Sequence, residues 1–245
     1  MTELPADSSV APGPARWPQQ LPVAFSDPVY LAAVVDLLAA IAYGEMSAFE
    51  RLSEDAKMAP TLADKAALAR MASTEFGHFE QLLARLEELG ADPFEVTSAF
   101  APPFEAFHAR TVPADWLEGL VKAYVGDGLA ADFYREVAMF LDTDTRAIIV
   151  ESLSDSEQAE FVVDRVRAAI AADPRVGGRL ALWGRRLMGE ALSQAQRVAA
   201  ERDALSALLA GGVDRPGMDL AAISRLFTRL TENHTARMES LGLAP

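Results

Sequence analysis

The chain contains no cysteine, which excludes disulfides, thiolate metal sites and thiol nucleophiles. That absence fits a reducing cytoplasm, the expected location. Histidine is scarce as well: His78, His108 and His234 are the only three, so any metal must be held by these and by carboxylates. Aromatic residues make up 8% of the chain against 51% hydrophobic residues, with Ala and Leu prominent. That balance favours helices over sheets. No run of eighteen uncharged apolar residues occurs, so no membrane span is expected. Basic residues are outnumbered, 22 Lys and Arg against 36 Asp and Glu, for a formal net charge of −14. This acidity opposes broad attraction to nucleic acid, whose sequence-independent binding rests on Lys and Arg at phosphates. Arg175, Arg179, Arg185 and Arg186 form the local exception, either a basic patch or, more simply, a solvated helix face.

Residues 1–25 are rich in Pro, Ala and Ser, start acidic, and have neither the basic nor the apolar region of a secretory signal. A disordered tail is expected there. The rest of the 245 residues suffices for one large core and a modest extension.

Helical signals come next, in order. Asp27-Pro28 opens a first helix that runs to Met58 and stops before Pro60. Its apolar stripe is Leu31, Val35, Leu38, Ala42, Glu45, Phe49, Leu52 and Ala56, interrupted only by Glu45. Glu50, Glu54 and Asp55 fall off that stripe and read as a solvated face. Thr61 to Asp64 resembles a capping box, and a second helix runs from there to Leu89, before Gly90. Within it, Glu75 and His78 stand three residues apart, which places both on the face of Leu68, Met71, Leu82 and Leu89. Glu45 precedes Pro60 by fifteen residues and Glu75 follows it by fifteen. A short connection makes the two helices antiparallel neighbours, so both carboxylates arrive at one height.

Residues 90–113, with Pro93, Pro102, Pro103 and Pro113 among four phenylalanines, read as a crossover along the bundle. His108 in this stretch reads as a loop histidine with a local partner. A third helix runs from Ala114-Asp115 to Leu141, with Asp127 interrupting the row Leu117, Leu120, Tyr124, Ala131, Tyr134 and Ala138. A fourth continues to Ala172, and its stripe extends back through Val162 to Gln158 and Asp155. Asp127 and Asp155 stand fourteen residues either side of Leu141, repeating the arithmetic of the first hairpin. Glu75-x-x-His78 aligns with Asp155-x-x-Gln158, so residues 27–89 and 114–172 read as two copies of one hairpin. Residues 173–245 hold two more helices, from Val176 to Leu209 and Asp219 to Leu241, turning at Gly211-Gly212 and Arg215-Pro216-Gly217. They pack on the bundle or on a second subunit in a homodimer; Glu190 and His234 there read as structural or exposed.

Four long helices with one acid each at a common height match what a pair of ions in a bundle requires. Oxygen ligands with imidazole suit iron or manganese. The metal ligands expected are Glu45, Glu75, His78, Asp127 and Asp155, with Gln158 where a second histidine is expected.

The words YGEMSAFERL at Tyr43, EFGH at Glu75 and YVGDGLAADF at Tyr124 carry a resemblance. The chain resembles the ferritin-like superfamily and, within it, actinobacterial proteins similar to the tRNA 2-methylthio-isopentenyladenosine hydroxylase (MiaE-like). The likeness covers residues 27–172. It implies an all-α, ferritin-like four-helix bundle over residues 26–172, with residues 173–245 appended. It further implies a non-haem di-iron site that hydroxylates an unactivated carbon with O2. Glu45, Glu75 and His78 would hold one iron, and Asp127 and Asp155 would hold or bridge to the second. A tRNA-borne substrate follows by analogy alone. The other reading is a ferritin-like bundle that has lost the complete site and serves as a non-catalytic binding or structural protein.

Overall fold

The computed structural model describes residues 23–153, 156–210, 218 and 220–245. The expected tail at 1–22, the turn at 211–217 and Asp155 lie outside the described residues, as does the side chain of Gln158. Every regular element among the described residues is helical: α1 (Pro28–Asp55), α2 (Leu62–Glu88), α3 (Pro93–Ser98), α4 (Ala101–Arg110), α5 (Trp116–Ala138), α6 (Thr143–Ser152), α7 (Ser156–Ala172), α8 (Arg175–Glu201), α9 (Asp203–Ala210) and α10 (Leu220–Ser240).

The first two long helices start where local chemistry provides an acceptor for their unpaired amides. Asp27 caps α1 through Val29 and Tyr30, with Pro28 at the first helical position. Thr61 Oγ1 accepts from the Asp64 amide (3.1 Å) and donates to the Asp64 carboxylate (2.7 Å). Asp64 also receives Arg165 Nε at 2.7 Å, which pins α7 against the start of α2. α1 and α2 pack antiparallel along their length and form the frame of the molecule.

The core divides into two apolar clusters. One takes Val34 to Ala42 of α1, Phe79 to Leu89 of α2, Val137 and Ala138 of α5, and Ile149 of α6. The other takes Leu52 and Ala56 of α1, Leu68, Met71 and Ala72 of α2, Leu120, Val121, Val125 and Leu129 of α5, Val162 and Val166 of α7, and Leu180, Trp183 and Leu187 of α8. Between them runs a layer formed by residues 43–51 of α1, 73–78 of α2 and 130–136 of α5.

The structure departs from the sequence expectations in several places. Residues 23–25, counted with the tail, belong to a short 3-10 turn (Val23–Ser26) whose Phe25 is buried beside Tyr30. The crossover is largely helical, as α3 and α4. The expected fourth helix is two helices, α6 ending at Ser152 and α7 starting at Ser156. Ser152 Oγ bonds back to Ile149 O at 3.0 Å. The helix after Pro174 is likewise broken at Arg202, which leaves the helical axis, bonds to Ala99 O (3.0 Å) and stacks over Phe100. The C-terminal helices pack on the bundle itself, α8 and α10 against α5 and α9 against α1. One segment, Pro28–Met58, is long and apolar enough to cross a membrane, yet over half of its most apolar window is buried against the other helices.

Asp55, assigned to a solvated face, is buried against Gly119 of α5, where any Cβ would collide with its carboxylate. Burial pushes its pKa up to about 6, against the pull of Lys122. Burial also brings Lys122 down to about 8, against the pull of Asp55. Lys122 Nζ donates to Thr111 O at 2.7 Å and lies over the Phe107 ring. Replacing it strands both a buried carbonyl and the Asp55 charge. Lys122→Met is therefore expected to cost about 1–3 kcal/mol in urea unfolding. Adding Asp55→Asn should recover part of that loss, and equal stability of the single and double variants would contradict the coupling.

Candidate metal centre

Glu45 stands on α1 and Glu75 and His78 one turn apart on α2, all in the layer between the two apolar clusters. Three residues' separation turns Glu75 and His78 to the same side of α2, and the antiparallel packing of α1 brings Glu45 opposite them. His78 Nδ1 lies 3.8 Å from Glu45 Oε2 and 3.7 Å from Glu75 Oε2, with side-chain exposures of 14%, 11% and 10%. One ligand atom from each of the three falls within 4.8 Å of the others. Phe76, between the two α2 ligands in sequence, turns outward and packs with Phe49 and Phe79.

Two buried carboxylates side by side are costly unless a proton or a cation neutralises them. Burial pushes the Glu75 carboxyl up, and the Glu45 charge adds to the rise. The Glu45 and then the Glu75 carboxylate hold the His78 imidazolium above the ordinary histidine range. Yet His78 Nδ1 is buried with no hydrogen-bond partner, because both carboxylates stop short of hydrogen-bond distance. Donors placed about 2.0–2.2 Å from one ion stand no more than about 4.4 Å apart. The separations of 3.7 and 3.8 Å fit that limit, and a nitrogen without a partner is what an ion would use. The cluster can hold a metal ion through two carboxylates and one imidazole.

The other expected ligand among the described residues does not join it. Asp127 is solvent-exposed and lies outside the Glu45–Glu75–His78 group. α5 buries Val121, Val125 and Leu129, and a position two residues from Val125 or Leu129 lies about 200° around the helix. A Cβ added at Gly126, beside Asp127, would meet nothing within 4 Å, whereas one at Gly44, beside Glu45, would face the Phe104 ring at 3.3 Å. From α5 it is Tyr134 that reaches α1 here, its hydroxyl 3.9 Å from where a Gly44 Cβ would be. Burial, and then the Glu45 charge, push its phenol up.

The remaining histidines sit apart. His108 on α4 pairs its Nε2 with Ser47 Oγ at 2.6 Å. Burial, Lys122 and Arg51 bring its pKa down to about 3, so it stays neutral. His234 on α10 is buried, and neither ring nitrogen has a hydrogen-bond partner among the described residues; burial lowers its pKa. The arginines of the suspected basic patch are engaged within the chain. Arg175 pairs with Asp173 (3.0 Å), and Arg179 with Asp115 (2.7 Å) and Glu118. Arg185 caps Pro245 O (2.9 Å), and Arg186 donates to Arg110 O (2.5 Å).

The helices form an all-α bundle with a carboxylate–imidazole cluster that could hold a metal ion buried between its central helices. The chain matches the family described as "Ferritin-like domain, actinomycetes" over residues 28–212, and it belongs to that family. No curated protein matches it.

A divalent ion entering the cluster must displace the proton on His78 and the one that burial retains on Glu75. Affinity is therefore expected to rise with pH. Cobalt(II) titrations followed by visible absorption should show binding at least about 100-fold tighter at about pH 8 than at about pH 6, one displaced proton giving about tenfold per pH unit, and a flat profile would contradict the proton-linked site.

Proposed function

We propose that this protein is a ferritin-like metalloprotein that holds iron, with manganese as the alternative ion, at Glu45, Glu75 and His78. We further infer that it serves O2-dependent hydroxylation of an organic substrate. The observation that carries the reading is the partnerless His78 Nδ1 facing two buried carboxylates across 3.7 and 3.8 Å. Hard oxygen donors with one imidazole suit iron and manganese. Iron bound there would supply redox chemistry with O2, the reaction class of the resembled hydroxylases.

The chain's own residues provide the setting. Glu45 and Glu75 supply negative charge where the ion's positive charge falls, and His78 supplies a neutral nitrogen once its proton has left. The apolar clusters on either side of the layer exclude water, which strengthens every electrostatic contact inside it. The acidic balance and the internal engagement of the α8 arginines favour a small substrate over a tRNA.

A second reading has its own observation. Asp127 faces solvent, so α5 brings no carboxylate to the cluster, which favours a single-ion or purely binding role. Metal analysis of protein purified aerobically from iron-rich medium separates the readings. About two irons per chain supports a paired site completed by Asp155, and about one supports the three-residue site alone. The combined variant Glu75→Ala, His78→Ala is expected to carry no iron while keeping its helical circular dichroism. Retention of iron in that variant would remove the assignment. Hydroxylating activity is checked by O2 consumption with an electron donor and candidate substrates, where uncoupled consumption in the combined variant equal to wild type would count against it.

A further inference from the structure

Tyr134 is a half-buried side chain of the metal layer whose ring packs against the apolar cluster of Val34 and Phe79 and whose hydroxyl belongs to no ligand set. Its height is fixed by the core: α5 leaves the cluster of Leu52 and Leu68 after Leu129, and its Phe133, Tyr134 and Val137 meet the cluster of Val34 and Phe79. α1 makes the same passage between Ala42 and Leu52, and α2 between Ala72 and Phe79. Glu45, Glu75, His78 and Tyr134 thus share one slab. Within it the phenol reaches α1 at Gly44, its oxygen 3.9 Å from the position of an absent Cβ, with the Phe104 ring alongside at 3.3 Å. A side chain at position 44 would press on Phe104, so glycine there leaves the aromatic pair close to the α1 backbone beside Glu45. Tyr134 is half-buried, and its hydroxyl makes no hydrogen bond to another described residue, which leaves its proton free to be donated. The acidic side chain whose charge bears on the phenol is Glu45.

We propose that Tyr134 is the positioning residue by which α5 serves the metal site. Its hydroxyl donates a hydrogen bond to the Glu45 carboxylate when that carboxylate is turned toward a bound ion, and so fixes its orientation. This rests on the metal reading of Glu45, Glu75 and His78. A carboxylate ligand has an oxygen lone pair to spare for such a donor, and partners of this kind tune affinity without touching the ion. Tyr134 thereby fills, as a donor to a ligand, the place on the third long helix that Asp127 leaves empty by facing outward.

The test is the Tyr134→Phe variant, which removes one atom that makes no hydrogen bond in the metal-free fold and so leaves the packing intact. Cobalt(II) is titrated into wild type, Tyr134→Phe and Phe104→Leu, and the thermal midpoint of each metal-free protein is measured alongside. The expected result is an affinity about 10- to 100-fold weaker for Tyr134→Phe, with its metal-free midpoint unchanged. Phe104→Leu, which alters packing but keeps the hydroxyl, is expected to lower the midpoint and leave the affinity within about threefold of wild type. Equal affinity in Tyr134→Phe and wild type overturns the role of the hydroxyl while the metal site stands. Equal weakening in both variants overturns it too, because packing would then be the cause. Failure of wild type itself to bind cobalt would remove the metal reading on which the inference rests.

Discussion

Two carboxylates and an imidazole brought together in a layer between apolar clusters set the terms for the rest of this structure. Each group alone would be expensive to bury, and the pair of acids more so. In the metal-free protein the cost is met by protons, retained on Glu75 and His78 beyond their usual ranges. An ion would replace those protons and use the nitrogen that has no partner. Stability, proton uptake and metal binding are therefore three aspects of one cluster, and conditions that change one must change the others.

The frame holds this cluster with α1 and α2, whose long antiparallel contact and capped ends fix the height of Glu45 against Glu75 and His78. The other helices close the layer differently. α5 contributes an aromatic group with a hydroxyl instead of a carboxylate, and α4 brings Phe104 over Gly44 and seats His108 on Ser47. A second polar group, Asp55 with Lys122 and Thr111, lies toward the α1–α2 turn and ties α1 to α5. Both arrangements depend on glycine at a close approach, Gly44 under Phe104 and Gly119 under Asp55.

Much of this was legible in residue spacing, and the parts that were not have physical causes. The fifteen-residue symmetry about Pro60 placed Glu45 with Glu75 because α1 and α2 are regular helices joined by a short turn. The fourteen-residue symmetry about Leu141 did not transfer to Asp127, since α5 is packed by α1, α6, α7, α8 and α10 and carries apolar residues on several faces. A helix buried on many sides has no single stripe from which to read an inward direction. α6 ends at Ser152 and α7 starts at Ser156, so one helical register is not carried from Leu141 into α7. Asp55 left no periodic trace of its burial, because its partner contact is made possible by a missing side chain at Gly119. The ferritin-like class was legible from the words around Glu45, Glu75 and Asp127, and the family match supports that level but not the finer likeness to the hydroxylases.

The central claim is that Glu45, Glu75 and His78 together hold one ion. A crystal of the iron-loaded protein, with diffraction recorded on both sides of the iron absorption edge, tests it directly. An anomalous peak is expected between His78 Nδ1 and the Glu45 and Glu75 carboxylates, within about 2.0–2.3 Å of each. An iron-loaded crystal with no anomalous density at that position, or with density ligated by other residues only, would contradict it.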